Sequence, residues 1–334
     1  MAGTERPRSE LQSGALITVF GGSGFVGQHV VQALGRRGYR IRVAVRRPNE
    51  ALFLKTSGVV GQIEPVQANI RDDASVRAAV EGASAVINLV GILSESGKQK
   101  FEAVQAEGAG RVARLARAAG VPIFIQMSSI GADEESPSHY AQSKAAGEAA
   151  VRAEYPEAAI LRPSVVFGAE DQFFNRFAAL ARLSPVLPLV GAETNFQPVY
   201  VKDVAEAVVR VLETDAGDGK VIELGGPATF TMCGLMEIML HVIRRKRLLV
   251  PVPLGLAKLK AFFLQMLPNP ILTVDQVRSL AIDNVVSDEA KAEGRTLEGL
   301  GVTPTAVQTI LPAYLARFRR RGQYEPAAAP LVQD

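Results

Sequence analysis

The stretch Val19-Phe20-Gly21-Gly22-Ser23-Gly24-Phe25-Val26-Gly27 constrains this chain more than any other. An apolar, β-type run from Ala15 to Phe20 ends in glycines, and a helical pattern from Phe25 to Leu34 follows. Strand, glycine turn and helix in that order form the context in which a glycine motif predicts a dinucleotide site. Gly22, Gly24 and Gly27 fit G-x-G-x-x-G, and Gly21, Gly24 and Gly27 fit G-x-x-G-x-x-G. One glycine permits the tight turn, another lets the backbone approach a pyrophosphate, and Gly27 lets the helix pack close on the sheet. The N–H groups at the start of that helix, around Ser23, Phe25 and Val26, then hold the phosphates.

A second strand-like run, Tyr39 to Val45, ends in Arg46-Arg47. A site for the dinucleotide lacking a 2′-phosphate places Asp or Glu about 20 residues past the glycines, to bind the ribose 2′-hydroxyl. Arg46 stands there instead. A carboxylate repels a 2′-phosphate, whereas a guanidinium binds it with charge-assisted hydrogen bonds. NADP(H) is therefore favoured over NAD(H). The alternative is that Arg46 and Arg47 are solvated charges at a strand end.

Apolar run and helical pattern keep alternating. Strand-like runs cover Ile63 to Gln67, Ala85 to Val90, Ile123 to Met127 and Ala159 to Leu161, and helical patterns cover Ala74 to Glu81, Phe101 to Ala119 and Tyr140 to Ala153. Such alternation predicts an α/β fold, a Rossmann-like doubly wound parallel sheet with right-handed crossovers. Ligands in such sheets bind beyond the carboxyl ends of the strands, so the loops after Phe20, Val45, Gln67, Val90 and Met127 line one crevice. The core spans 14–165 and is completed by about 199–225, where Val199 to Val201 and Val221 to Leu224 read as strands around a helix from Asp203 to Leu212. Residues 166–198 and 226–315 form a smaller, mostly helical cap, with flexible ends at 1–13 and 322–334.

Net charge is +3, which excludes nucleic-acid binding by charge alone. With one cysteine (Cys233) and three histidines (His29, His139, His241), no intrachain disulfide and no Cys/His metal cluster is expected. The first dozen residues carry no apolar signal region, and no apolar run reaches membrane-spanning length. These features suit a cytoplasmic location.

Tyr140-Ala141-Gln142-Ser143-Lys144 sets Tyr and Lys at i and i+4 on one helix face, after a strand that ends in Ser128-Ser129. A neighbouring ammonium and a cofactor positive charge favour the phenolate, which makes Tyr140 an acid or base near neutral pH. Lys144 can also bond ribose hydroxyls, and Ser129 or Ser128 can orient a substrate oxygen. His139 reads as an exposed helix-start residue rather than a proton relay, because neighbours in sequence face different ways on a helix.

With these motifs the chain resembles the extended or atypical branch of the short-chain dehydrogenase/reductase superfamily, over roughly residues 14 to 315. The segments VINLVGI (86–92), HYAQSKAAGE (139–148), RPSVVFGAEDQFFNRFA (162–178) and FQPVYVKDVA (196–205) are similar, more narrowly, to the nucleotide-binding accessory subunit of respiratory complex I (NADH:ubiquinone oxidoreductase). The lack of a transit-like leader points to a bacterial relative. The resemblance implies a tightly held NADPH with a structural role, in a peripheral subunit near the quinone end of the enzyme. Related atypical members are associated with ubiquinone biosynthesis. It also implies that Pro163, Ser164 and Val165 shape the nicotinamide pocket, and that Asn88 and Gly91 belong to the superfamily's N-x-x-G motif. Asn88 reads equally as an amide tying neighbouring strands.

The chain departs from the superfamily at two places. Asn69 stands where many members carry Asp to bind adenine, and its amide oxygen can still accept from the adenine amino group. Ile130 stands where extended enzymes often carry a third hydroxyl. The expected nucleotide contacts are Gly21, Gly22, Ser23, Gly24, Phe25, Val26, Gly27, Arg46, Arg47, Asn69, Ile70, Val90, Gly91, Met127, Tyr140, Lys144, Pro163, Ser164 and Val165. The expected catalytic set is Tyr140, Lys144, Ser129 and Ser128.

One further segment stands out. No Asp or Glu occurs between Glu237 and Asp275, while Arg244, Arg245, Lys246, Arg247, Lys258 and Lys260 are interleaved with Leu248, Leu249, Leu254, Leu256, Leu259, Phe262, Phe263, Leu264, Met266 and Leu267. Apolar surface flanked by basic residues suits an anionic membrane surface contacted through 244–267, on the cytoplasmic face of the inner membrane. The alternative is an ordinary amphipathic helix packed into the cap. Two functional expectations follow. One is an NADP(H)-binding accessory protein on complex I or a quinone-related assembly. The other is a soluble NADP-dependent oxidoreductase, nucleotide-sugar epimerase or dehydratase using Tyr140 and Lys144, or a ubiquinone-biosynthesis reductase.

Overall fold

The computed structural model describes residues 11–265 and 272–324. Residues 1–10 of the predicted N-terminal arm, Met266, Leu267, Pro268 and Pro270, and the predicted tail from residue 325 lie outside the described residues.

The chain divides into two compact units. Among the described residues, the first holds those up to Pro163 together with Val201–Leu224 and Val286–Thr303, and the second holds Ser164–Tyr200, Gly225–Val285 and those from Pro304 onward.

The first unit is built on seven strands: β1 (Leu16–Phe20), β2 (Arg40–Val45), β3 (Ile63–Gln67), β4 (Ala85–Asn88), β5 (Phe124–Met127), β6 (Ala159–Pro163) and β7 (Val221–Leu224). They pair in the order β3-β2-β1-β4-β5-β6-β7, and every neighbouring pair is parallel. Strands buried on both faces read as continuous apolar runs, and that is why LITVF and AVIN are strands without alternation. Ile17, Phe20, Ile87, Ile125, Ile160 and Leu161 are fully buried, each worth about 1.5–3 kcal/mol of apolar burial.

The crossovers carry helices α1 (Phe25–Arg36), α2 (Asp73–Val80), α3 (Glu107–Ala118), α4 (His139–Glu154) and α5 (Val201–Glu213). Helix α1 packs on α5, and α3 packs between α2 and α4. The helix expected from Phe101 is broken at its start. Glu102–Ala106 form a π-helical turn before α3. There the Gln105 carbonyl comes so near Gly147 of α4 that an added Cβ on Gly147 would lie 2.1 Å from it. Periodicity does not distinguish such a turn from regular helix.

Two boundaries differ from the sequence reading. Val199–Tyr200 does not join the main sheet; it pairs with Val166–Phe167 in the second unit. Residues 286–303, expected in the cap, belong to the first unit. Val286 and Ala290 pack with Ile130, the Glu223 N–H donates to the Arg295 carbonyl, and Arg295 Nη1 donates to the Val221 carbonyl at 2.8 Å. This segment covers the edge strand β7, whose N–H and C=O groups otherwise need partners.

The second unit gathers the helices Phe174–Leu183, Met232–Val242 and Val307–Leu315 around Phe167, Phe174, Leu187, Met236 and Leu311. Leu248–Val252 pairs in parallel with Val186–Val190, a long-range pairing with no local turn signal to announce it.

Candidate nucleotide site

The glycine turn sits where the strand order reverses, between β1 and β4, the place where open α/β sheets form their ligand crevice. Each glycine there has a steric reason. Gly21 has φ +75°, a left-handed conformation that favours glycine. A Cβ on Gly22 would lie 2.9 Å from Val43 Cγ1, and one on Gly27 would lie 2.3 Å from the Gly21 carbonyl oxygen and 2.6 Å from Gly22 Cα. Helix α1 therefore leaves the sheet at backbone contact. Its N-cap, Gly24, supplies no side-chain hydrogen bond, and its first turn holds no acidic residue. By contrast, α2 and α4 are capped by Asp72 and Ser138. An uncapped helix start aimed from a glycine turn is an anion site in waiting.

Beyond the ends of β2 and β3, Arg46, Gln67, Ala68, Asn69 and Ser75 line a pocket of about 320 Å³. Arg46 is exposed there, with no hydrogen bond or ion pair among the described residues. Arg47 behaves differently: it pairs with Glu50 at 2.9 Å on the surface and does not line the pocket. Asn69 also differs from its expected use. Its Oδ1 accepts from Arg71 N–H at 3.2 Å and from Arg71 Nε at 3.4 Å, so the oxygen expected to meet an adenine amino group is already engaged in the turn. Ile70 is buried; its carbonyl accepts from Arg111 Nη1.

Asn88 resolves to the strand-tying role. It is 1% exposed; its Nδ2 donates to Gln126 Oε1 at 2.9 Å across β4 and β5, and its Oδ1 accepts from the Val90 N–H at 3.2 Å. It shapes the loop that carries Val90 and Gly91. A Cβ on Gly91 would lie 3.3 Å from both Lys144 Nζ and Gln105 Oε1.

Helix α4 presents Tyr140 and Lys144 to the end of β5. Lys144 Nζ lies 3.4 Å from the Met127 carbonyl and 5.9 Å from the centroid of the Tyr140 ring. Phe101 meets the Tyr140 ring edge-on at 5.9 Å. Burial lowers the Lys144 ammonium, Glu148 opposes it by less, and the net result is about 8. Burial raises the Tyr140 phenol, and the Ser129 hydroxyl lowers it by less. The sequence reading expected the ammonium and a cofactor positive charge together to favour the phenolate; among the influences of the protein itself, burial outweighs the Ser129 hydroxyl and raises the phenol. Gln105 Oε1 and Ser129 Oγ border this pair, and these two atoms and Ser128 Oγ are buried without a hydrogen-bond partner among the described residues. Ser129 thus faces Tyr140 without completing a well-formed hydrogen bond. Buried, unsatisfied polar atoms fit a polar ligand such as a nicotinamide ribose.

Pro163 ends β6. Ser164 and Val165 begin the second unit, where Asn284 holds both. Its carbonyl and Oδ1 accept from Ser164 Oγ at 2.9 and 2.7 Å, and Oδ1 accepts from the Val165 N–H at 3.1 Å. His139 is exposed and contacts Gln142 Oε1 at 3.2 Å.

Sequence reasoning passed over Gln105, Ser75, Glu148, Arg162 and Asn284. Glu148 carried a signal, since it stands one turn beyond Lys144 on the same face. Gln105 carried none, because its placement depends on the π-turn.

In the second unit, the helix Leu254–Leu264 buries only Ala257 and Ala261. Leu254, Leu256, Leu259, Phe262 and Phe263 are exposed, as are Leu183, Val186, Leu248 and Val250. That helix is therefore apolar nearly all round rather than amphipathic. No helix among the described residues is long and apolar enough to cross a membrane.

A seven-stranded parallel sheet with a glycine turn at its switch point and an uncapped helix start defines a Rossmann-like α/β protein of the dinucleotide-binding type. Residues 17–225 match the NAD dependent epimerase/dehydratase family, and the chain belongs to that family. It is 36% identical over 323 residues to NADH dehydrogenase (ubiquinone) 1 alpha subcomplex subunit 9, mitochondrial, of Arabidopsis thaliana, covering 93% of this chain and 79% of that protein. It is 33% identical to the ceramide reductase of Caulobacter vibrioides, over 71% of this chain and 74% of that protein. In fold it is similar to the NADPH-dependent quinone oxidoreductase of Escherichia coli complexed with NADPH, with TM-score 0.69 and 20% identity, covering 89% of this chain and 99% of that one.

Proposed function

We propose that this protein holds NADP(H) as a structural ligand and serves as an accessory protein of respiratory complex I or a related quinone-linked assembly, peripheral on the cytoplasmic face of the inner membrane. The observation that carries the reading is the juxtaposition of the uncapped, acid-free start of α1 with the Arg46 pocket, in a chain similar along nearly its whole length to a named complex I subunit. Helix α1 supplies N–H groups to the pyrophosphate from Gly22 to Gly27. Arg46 meets the 2′-phosphate, and Asn69 and Ile70 border the adenine. Lys144 and Tyr140 face the nicotinamide ribose, with Gly91 and Met127 forming the backbone edge beside them. The exposed apolar and basic surface of 244–265 suits an anionic membrane surface, by apolar burial and charge attraction together.

The test is to purify the protein gently from membrane and soluble fractions, denature it, and identify released nucleotide by mass spectrometry. NADPH near one per chain in a membrane-associated pool with complex I subunits alongside is the expected result. An empty, soluble protein overturns the accessory reading, and released NAD(H) overturns the role given to Arg46.

A second reading is favoured by the grouping of Tyr140, Lys144 and Ser129 as an acid/base set, together with a relative that carries the name ceramide reductase. Bound NADPH supplies a hydride. Tyr140, a phenol in this environment, donates a proton to the substrate oxygen, Ser129 orients that oxygen, and Lys144 stabilises the resulting phenolate. Replacing Tyr140 by Phe would abolish carbonyl reduction and spare nucleotide binding; loss of binding instead would overturn the acid/base role.

A further inference from the structure

Lys144 is 7% exposed, and its hydrogen bond goes to a neutral carbonyl, that of Met127 at 3.4 Å. A buried ammonium with only neutral contacts loses its proton readily. One turn along α4, Glu148 is 4% exposed. Both of its carboxylate oxygens are taken by Arg162 on β6, through Nε at 2.8 Å and Nη2 at 2.7 Å. Arg162 Nη1 lies 3.9 Å from Glu223 Oε1 on β7, and Glu223 Oε2 accepts the Ser287 N–H at 2.7 Å. The charges of Glu148, Arg162, Glu223 and Lys144 sum to zero. A carboxylate gripped as a two-toothed fork cannot swing onto Lys144, so it acts from a fixed position through a poorly screening interior.

Around Lys144, its own helix offers Tyr140 and Glu148, β5 the Met127 carbonyl, the loop after β4 the Gly91 backbone, and the π-turn Gln105. Asp133, after β5, acts on Arg162. Glu148 is the carboxylate that bears on Lys144.

We propose that Glu148, clamped by Arg162, which Glu223 flanks on its other side, is a positioning residue that keeps Lys144 protonated in its buried place, so that Lys144 offers a cation to the nicotinamide ribose. The role toward ribose rests on the nucleotide reading above; the charge relationship does not. The clamp also ties the segment 286–303 to the site, through Ser287 and Glu223.

The experiment is an NMR titration of the Lys144 side chain in full-length protein labelled at lysine, with the signal assigned by its loss in Lys144→Met. In Glu148→Gln the Lys144 midpoint falls by roughly one pH unit from about 8. A merely structural role would loosen the site, admit water and raise the midpoint toward 10.5. An unchanged or raised midpoint in folded Glu148→Gln overturns the proposal. Should that variant not fold, the double substitution Glu148→Gln/Arg162→Gln, which replaces the buried ion pair by two neutral amides, decides by the same criterion, because Glu148 is the member of that pair that bears on Lys144. NADPH binding measured on the same samples separates the two ideas: wild-type protein that binds no NADPH overturns the nucleotide reading, while the Lys144 midpoint judges the clamp independently.

Discussion

Gly27 lies against the Gly21 carbonyl so closely that an added Cβ would stand 2.3 Å from that oxygen. The contact is backbone on backbone, so no side chain can yield to relieve it. Gly27→Ala is therefore expected to destabilise the first unit by about 3 kcal/mol, read by urea denaturation. Gly24→Ala meets the same oxygen at 3.3 Å and is expected to fold with stability changed by less than about 1 kcal/mol. Equal losses from the two substitutions would contradict this account of the turn.

Arg46 and Arg47 are adjacent, yet Arg46 lines the pocket while Arg47 is paired with Glu50. Charge-assisted hydrogen bonds are worth about 1.5–3 kcal/mol. Arg46→Ala is expected to weaken NADPH roughly 10- to 100-fold and leave NADH unchanged. Arg47→Ala is expected to leave both unchanged. Calorimetric titration with the two nucleotides checks this, and equal loss of both in Arg46→Ala would exclude 2′-phosphate recognition.

Lys144 titrates near 8 in the folded protein against an ordinary 10.5. Between those values the unfolded chain holds more protons, so this group makes stability rise as pH rises and withdraws that stability as pH falls through 8. The full difference is about 3 kcal/mol. Lys144→Met is thus expected to be more stable than wild type at pH 7 and to lack that rise, while binding nucleotide more weakly. Thermal unfolding of both proteins across pH 7 to 10 is the measurement, and parallel curves would refute it.

Phe262 and Phe263 are exposed next to Lys258 and Lys260. Sedimentation with vesicles containing anionic lipid is expected to capture the protein, and capture should fall as salt rises from about 0.1 to 1 M. The double substitution Phe262→Asp/Phe263→Asp is expected to abolish most of it. Capture by neutral vesicles at equal strength would remove the electrostatic part of the reading.

Much of the first unit was legible in the chain. Runs such as LITVF, RIRVAV and AVIN are apolar enough to be central parallel strands, and the glycines after Phe20 mark a turn whose spacing has a steric meaning. Tyr140, Lys144 and Glu148 share a helix face by arithmetic alone. Those features are local, set by φ/ψ limits and by the helical and strand repeats. The tertiary structure decided what depends on distant partners: that Val199–Tyr200 pairs away from the main sheet, that 286–303 returns to cover β7, and that Asn284 takes Ser164 and Val165. It also decided the protonation of the site. The sequence places an ammonium near a phenol, but desolvation acts on both groups only once the fold removes water from them, and it outweighs the attraction that spacing alone suggests.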